Sequence, residues 1–183
     1  MLNNEKESMT FAVLGSATKI RSAAYDPASA RSWPFKAEDS SPLAWWRRLP
    51  SQAFGEPERL HMGATLEQIN VLHAELDLLA ALKGDAAAAI EVTFTLMPMS
   101  EISLRTDIAM TALLRCALER NAAASLVLAQ VLGLTDLGHP YAGELATAWL
   151  AYGWLCSENS REFSNAAAVL LTAFQDRERE KDE

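Results

Sequence analysis

Between residues 65 and 80 the apolar positions fall at steps of three and four: Leu66, Ile69, Leu72, Leu76 and Leu79. That spacing lines one face of an α-helix. Thr65 and Gln68 at its start read as a capping box, the hydroxyl and the amide each satisfying one free backbone N–H. Gly84 stops this first helix, and Asp85 caps a second that carries Ile90, Phe94 and Met97 on one face and ends at Pro98. A turn that short makes the two helices antiparallel neighbours. Ser100 caps a third helix, predicted to run to about Arg120. Its polar positions narrow to Asp107, Thr111, Arg115 and Glu119, so this helix is expected in the interior with that line as its one exposed edge. Asn121 caps a fourth, almost wholly apolar from Leu126 to Leu132. Beyond the loop signals Gly133, Gly138 and Pro140, a fifth helix is predicted from Tyr141 to Cys156, with Leu145, Trp149, Tyr152 and Leu155 as contacts. A sixth begins between Arg161 and Asn165 and includes Val169, Leu170, Ala173 and Phe174. The charged tail 176–183 is expected to fray.

One phrase recurs through these elements. Asp85, Asn121 and Asn165 each precede at least three alanines and an aliphatic run, at spacings of 121 − 85 = 36 and 165 − 121 = 44 residues. Asp and Asn are good N-caps and alanine has the best helix propensity, so each phrase reads as a helix start. No stretch alternates with period two and β-branched residues. The predicted fold is therefore all-α: about six helices in three antiparallel hairpins, over residues 61–175. In period this resembles tetratricopeptide-type helix-pair repeats, although the Trp, Leu-Gly, Tyr and Pro positions of that family are not in register. Two architectures fit the pattern, a short α-solenoid and a compact helical bundle.

Residues 1–60 follow a different grammar. Five of the seven prolines lie here, at 27, 34, 42, 50 and 57, and that density prevents long helices. The segment still carries Phe11, Tyr25, Trp33, Phe35, Trp45, Trp46 and Phe54, too large an aromatic set to leave in water. Residues 1–25 read as partly disordered with one short helix, and 26–60 as an extended arm with a helical turn over 43–49.

Charge divides along the same line. Residues 1–60 hold 8 basic and 7 acidic side chains, a net of +1; the remaining 16 − 8 = 8 basic and 24 − 7 = 17 acidic give −9. An acidic body repels phosphate backbones, which disfavours nucleic acid and suits basic proteins or peptides. No run approaches the roughly 18 apolar residues that cross a bilayer, and the N-terminus lacks the pattern of a secretory signal. Two cysteines without metal-type spacing point to a reduced, cytoplasmic setting.

The search for chemistry yields few constellations. His73 and Asp77 lie one helical turn apart, with Glu75 and His61 close in number, yet zinc sites usually show three or four ligands. Cys156, His139 and Glu158 can be drawn as a nucleophile set, but a reactive thiolate wants a positive neighbourhood and the nearest basic residue in sequence is Arg161. No phosphate-binding glycine loop or nucleophile elbow is present. No catalytic residue, cofactor or metal is predicted.

Binding is better represented. The stretch 43–50 contains Trp45, Trp46, Arg47 and Arg48, residue types enriched at binding hot spots. Three readings compete for it: a staple of the arm across the helical body, an anchor for a partner, and a contact with an anionic membrane surface, which the acidic body disfavours. Trp149, Tyr152 and Trp154 on the fifth helix belong either to the core or to a groove, with Glu91, Asp107, Glu119 and Glu144 as acidic rim positions. The expected function is a non-enzymatic interaction module (adaptor, chaperone, inhibitor or assembly factor). It would bind a protein or peptide through an apolar helical groove, the Trp-Trp-Arg-Arg arm, or both, and a homodimer is compatible with its apolar excess. The alternative is a helical-bundle enzyme or small-ligand binder with a pocket among helices three to five, drawing on Thr111, Cys116, Gln130, Thr147 and Tyr152.

Overall fold

The computed structural model describes residues 33–70, 76–99 and 101–182. Among them are seven α-helices and no strand: α1 Glu56–Glu67, α2 Leu76–Leu82, α3 Ala86–Leu96, α4 Leu104–Leu118, α5 Ala122–Leu134, α6 Ala142–Cys156 and α7 Ser160–Asp182. Three short 3₁₀ elements precede them, Ala37–Asp39, Pro42–Arg47 and Ser51–Ala53. The readings made for residues 1–25, and for His73 and Glu75, fall outside the described residues.

Two of the three repeated phrases act as predicted. Asp85 accepts the Ala88 N–H at 3.1 Å, and Asn121 accepts the Ala124 N–H at 2.9 Å. Each cap follows a residue of positive φ, Gly84 at 94° and Arg120 at 70°, which reverses the chain tightly. As a result α2 packs on α3, and α4 on α5. The third phrase is different. Asn165 lies inside α7, because Asn159 has already started that helix by accepting the N–H groups of Arg161 and Glu162.

Other boundaries also differ from expectation. The helix expected from Thr65 to Gly84 is not one element: α1 begins at Glu56 and ends at Glu67, and α2 begins at Leu76. Pro57 fits the first turn, where no N–H is needed, and Glu58 accepts the Gly55 N–H at 2.8 Å. Thr65 falls in the last turn, its hydroxyl donating to the His61 carbonyl. Ser103, not Ser100, caps α4, taking the Thr106 N–H at 3.1 Å. The charged C-terminal stretch continues α7 to Asp182.

The core centres on α4, α5 and α6, where Met110, Leu113, Leu114, Leu128, Leu132, Leu145 and Trp149 are enclosed. α6 lies along α5, and α1 packs against α4. α7 packs mainly on α5 and sets Phe174 against Phe94 of α3, ring centroids 5.5 Å apart. Of the polar line of α4 only Glu119 is exposed to solvent. Thr111 is fully buried and donates to Asp107 and Leu43 carbonyls, while Arg115 donates to the Leu82 carbonyl at the end of α2. That line is where the arm and the α2 terminus attach.

Candidate functional site

The arm meets the body through its tryptophans. Ser41 and Pro42 start the 3₁₀ element Pro42–Arg47, which turns Trp45 and Trp46 inward, both buried. An indole inside a core needs a partner for its one N–H, and each here has one. Trp45 Nε1 donates to the Ala37 and Ser40 carbonyls at 3.0 and 3.2 Å, folding the arm on itself. Trp46 Nε1 donates to Asp107 Oδ1 at 2.8 Å. The same carboxylate receives Arg47 as a fork, Nε at 3.2 Å and Nη2 at 3.0 Å. Arg48 turns the other way, its guanidinium 5.6 Å from the Phe35 ring centre. Trp149, buried on α6, donates to the Leu49 carbonyl at 3.2 Å and completes the attachment. In this conformation Trp45, Trp46 and Trp149 present no surface to a partner, while Arg47 and Arg48 are half-buried.

Tyr152 and Trp154 differ from these three. Tyr152 is half-buried with its ring edge on Trp149, centroids 5.6 Å apart. Burial and the neighbouring Cys156 thiol push its hydroxyl pKa up, opposed by Arg59. Trp154 is half-buried against Phe163, 5.9 Å away. Beside it Leu155 is 77 % exposed, and Val169 on α7 is 70 % exposed. Leu60, Leu76 and Leu104 are also largely exposed, singly, on α1, α2 and α4.

The polar groups considered for an internal pocket face different surroundings. Thr111 serves the arm; Thr147 is exposed and donates to the Gly143 carbonyl; Tyr152 faces Arg59 and Cys156. Cys116 is buried on α4, and burial, aided by Glu119, pushes its thiol up to about 11. His139 and Cys156 are not brought together, since α6 separates them by roughly 20 Å at 1.5 Å per residue. Among the described residues no three of His, Cys, Asp and Glu are placed to hold a metal ion, and no helix is long and apolar enough to cross a membrane.

Asp107 is the residue whose role was not anticipated. It stood among rim acids, with no local signal that an indole and a guanidinium from 60 residues away would both reach it.

Comparison with protein-family models, curated proteins and solved structures gives no match.

Proposed function

We propose that this chain is a non-enzymatic helical module that binds another protein through the outer faces of α6 and α7. One observation carries the reading. From Thr147 to Leu155 and from Asn165 to Ala173 these two surface helices contain no charged residue, yet Ala151, Leu155, Ala166, Ala168, Val169 and Ala173 are exposed. A surface helix ordinarily keeps charge on its solvent face, so uncharged stretches with exposed apolar residues on two helices suit a partner. Half-buried Trp154 supplies an anchor of the kind that dominates interfaces. Exposed Glu144, Glu158 and Glu162 border these stretches and would steer a basic partner. A second copy of the chain is one occupant such a face accepts.

The reading includes a compact helical bundle rather than an open solenoid, supported by the contact of Phe174 with Phe94 across the helix order. It also includes a reducing, cytoplasmic setting, in keeping with both cysteines being free thiols. The test is the double variant Leu155→Glu with Val169→Glu, both at exposed positions, purified from the native host beside the parent chain. The proposal expects an unchanged melting temperature and the loss of a stoichiometric partner, or of self-association. Retention of the same partner by the variant would overturn it.

A second reading, a helical enzyme or small-ligand binder, is favoured by one cluster, where Cys156 and Arg59 act in opposite directions on the pKa of the Tyr152 hydroxyl. A ligand held there raises the melting temperature of the parent chain but not of Tyr152→Phe.

A further inference from the structure

α7 crosses the body as a strap. Near its start, Gly153 of α6 lies between Ser125 of α5 and the Phe163 ring, each 3.0 Å from where a Cβ on that glycine would stand. Eleven residues on, Phe174 is buried against Phe94 of α3, and between these two anchors α7 packs mainly on α5. Phe163, Ala167, Leu170 and Phe174 follow at steps of four, three and four, the spacing by which an amphipathic helix lies in an apolar groove. The seat is shallow. Of residues 160–174 only Phe163 and Phe174 are buried, whereas α4 buries ten of its fifteen residues. This stretch also carries its hydrogen bonds with it. Asn159 accepts the N–H groups of Arg161 and Glu162, and the Ser164 and Thr172 hydroxyls donate to the Ser160 and Ala168 carbonyls.

We propose that α7 is an exchangeable strap: it undocks from the groove of α3, α5 and α6, and the α7 of a second copy takes its place, giving a swapped dimer.

Local opening begins at elements that bury few groups, and α7 is such an element. The arm is fastened otherwise: its departure breaks the bonds of Trp46 and Arg47 to Asp107 and of Trp149 to the Leu49 carbonyl. Only residues 157–159 join α7 to α6, so straightening that turn is enough to send α7 elsewhere. Two observations make a second copy the occupant. Its α7 remakes the seats that the first α7 leaves, at Gly153, Ser125 and Phe94, so the exchange costs little beyond the entropy of association. Leu155, 77 % exposed, stands two residues before the turn that opens, where the two copies meet, and its burial there offsets part of that entropy.

The test incubates the full chain with a fluorescent synthetic peptide of residues 159–176. Saturable uptake is expected, and a peptide carrying Phe163→Ala and Phe174→Ala should be taken up about a hundredfold more weakly. Leu155 and Val169 are largely exposed, so the chain with Leu155→Glu and Val169→Glu still takes up the peptide, which separates this exchange from binding at the outer faces. A chain lacking residues 157–159 has no turn by which α7 folds back, and sedimentation should find it more dimeric than the parent at equal concentration. The exchange is overturned if the peptide is not taken up or if both peptides are taken up equally, and the second copy as occupant is overturned if the shortened chain is monomeric. Should that chain fail to fold, native mass spectrometry of the concentrated parent decides. Dimers that excess peptide disperses are expected; no dimers, or dimers that the peptide leaves intact, overturn the proposal.

Discussion

The indole N–H of Trp46 lies 2.8 Å from Asp107 Oδ1, a carboxylate 61 positions further along the chain. The indole is fully buried and the carboxylate half-buried, and the Arg47 fork occupies the rest of the carboxylate. Replacing Asp107 by Ala leaves a buried indole N–H without a partner and a half-buried guanidinium without its counter-charge. The expected loss is about 2–4 kcal/mol of folding stability. Asp107→Asn keeps one acceptor for Trp46 and gives up only the charge-assisted fork, so its loss should be nearer 1 kcal/mol. Urea midpoints rank the two variants, and equal midpoints would mean that the acceptor kept by Asp107→Asn contributes nothing.

The turns before α3 and α5 share one backbone path but not one residue at its reversal. Gly84 holds φ 94° without penalty, whereas Arg120 holds φ 70° against the clash between its Cβ and the backbone. Arg120→Gly is expected to stabilise the protein by about 0.5–1 kcal/mol, and Gly84→Ala to destabilise it by about 1 kcal/mol. A Cβ on Gly84 meets nothing closer than 3.7 Å, so the second effect measures conformation and not crowding. Melting temperatures moving in opposite directions check both.

These turns also show which parts of the fold could be read from the chain. Asp85 and Asn121 were legible because capping is local: the acceptor and the N–H it satisfies lie three residues apart. The same logic misplaced Asn165 and Thr65, because Asn159 and the group of Gly55, Pro57 and Glu58 start their helices earlier, leaving the later signals inside elements already formed. The polar line Asp107, Thr111, Arg115 and Glu119 reads as a water-facing edge, which holds for Glu119 alone. Periodicity reports that a face is polar, not whether water or an arm covers it. Likewise the aromatic arm pointed to burial, but Trp46 could be matched with Asp107 only by a tertiary contact that no spacing encodes.

Two helical glycines make a contrasting pair. A Cβ on Gly63 of α1 meets nothing within 4 Å, so Gly63→Ala gains helix propensity alone, about 0.5–1 kcal/mol. A Cβ on Gly153 of α6 falls 3.0 Å from both Ser125 Cβ and Phe163 Cζ. Ser125 Cβ sits on the rigid α5 backbone, so α6, α7 or both must shift. Gly153→Ala is expected to lose about 1–3 kcal/mol through that overpacking, outweighing the propensity gain. Denaturant melts of the two variants should fall on opposite sides of the parent, and a stabilised Gly153→Ala would show that α7 yields freely.

Cys116 and Cys156 separate by environment. Cys116 is buried, and its thiol is pushed up to about 11 by that burial and by Glu119, against an ordinary value of 9.0. Cys156 is half-buried at the end of α6. A disulfide reagent at pH 8 should titrate one thiol of the native protein promptly and the second only on unfolding. The raised value also fixes the sign of a pH effect. The folded state resists ionising Cys116, so its contribution to stability is complete below pH 9.0 and is lost as the pH climbs through about 11. Across that window the parent chain should lose about 2–3 kcal/mol more than Cys116→Ala, which has no thiol to ionise. Parallel stability curves for the two proteins between pH 8 and 11 would show instead that the thiolate is accommodated inside the fold.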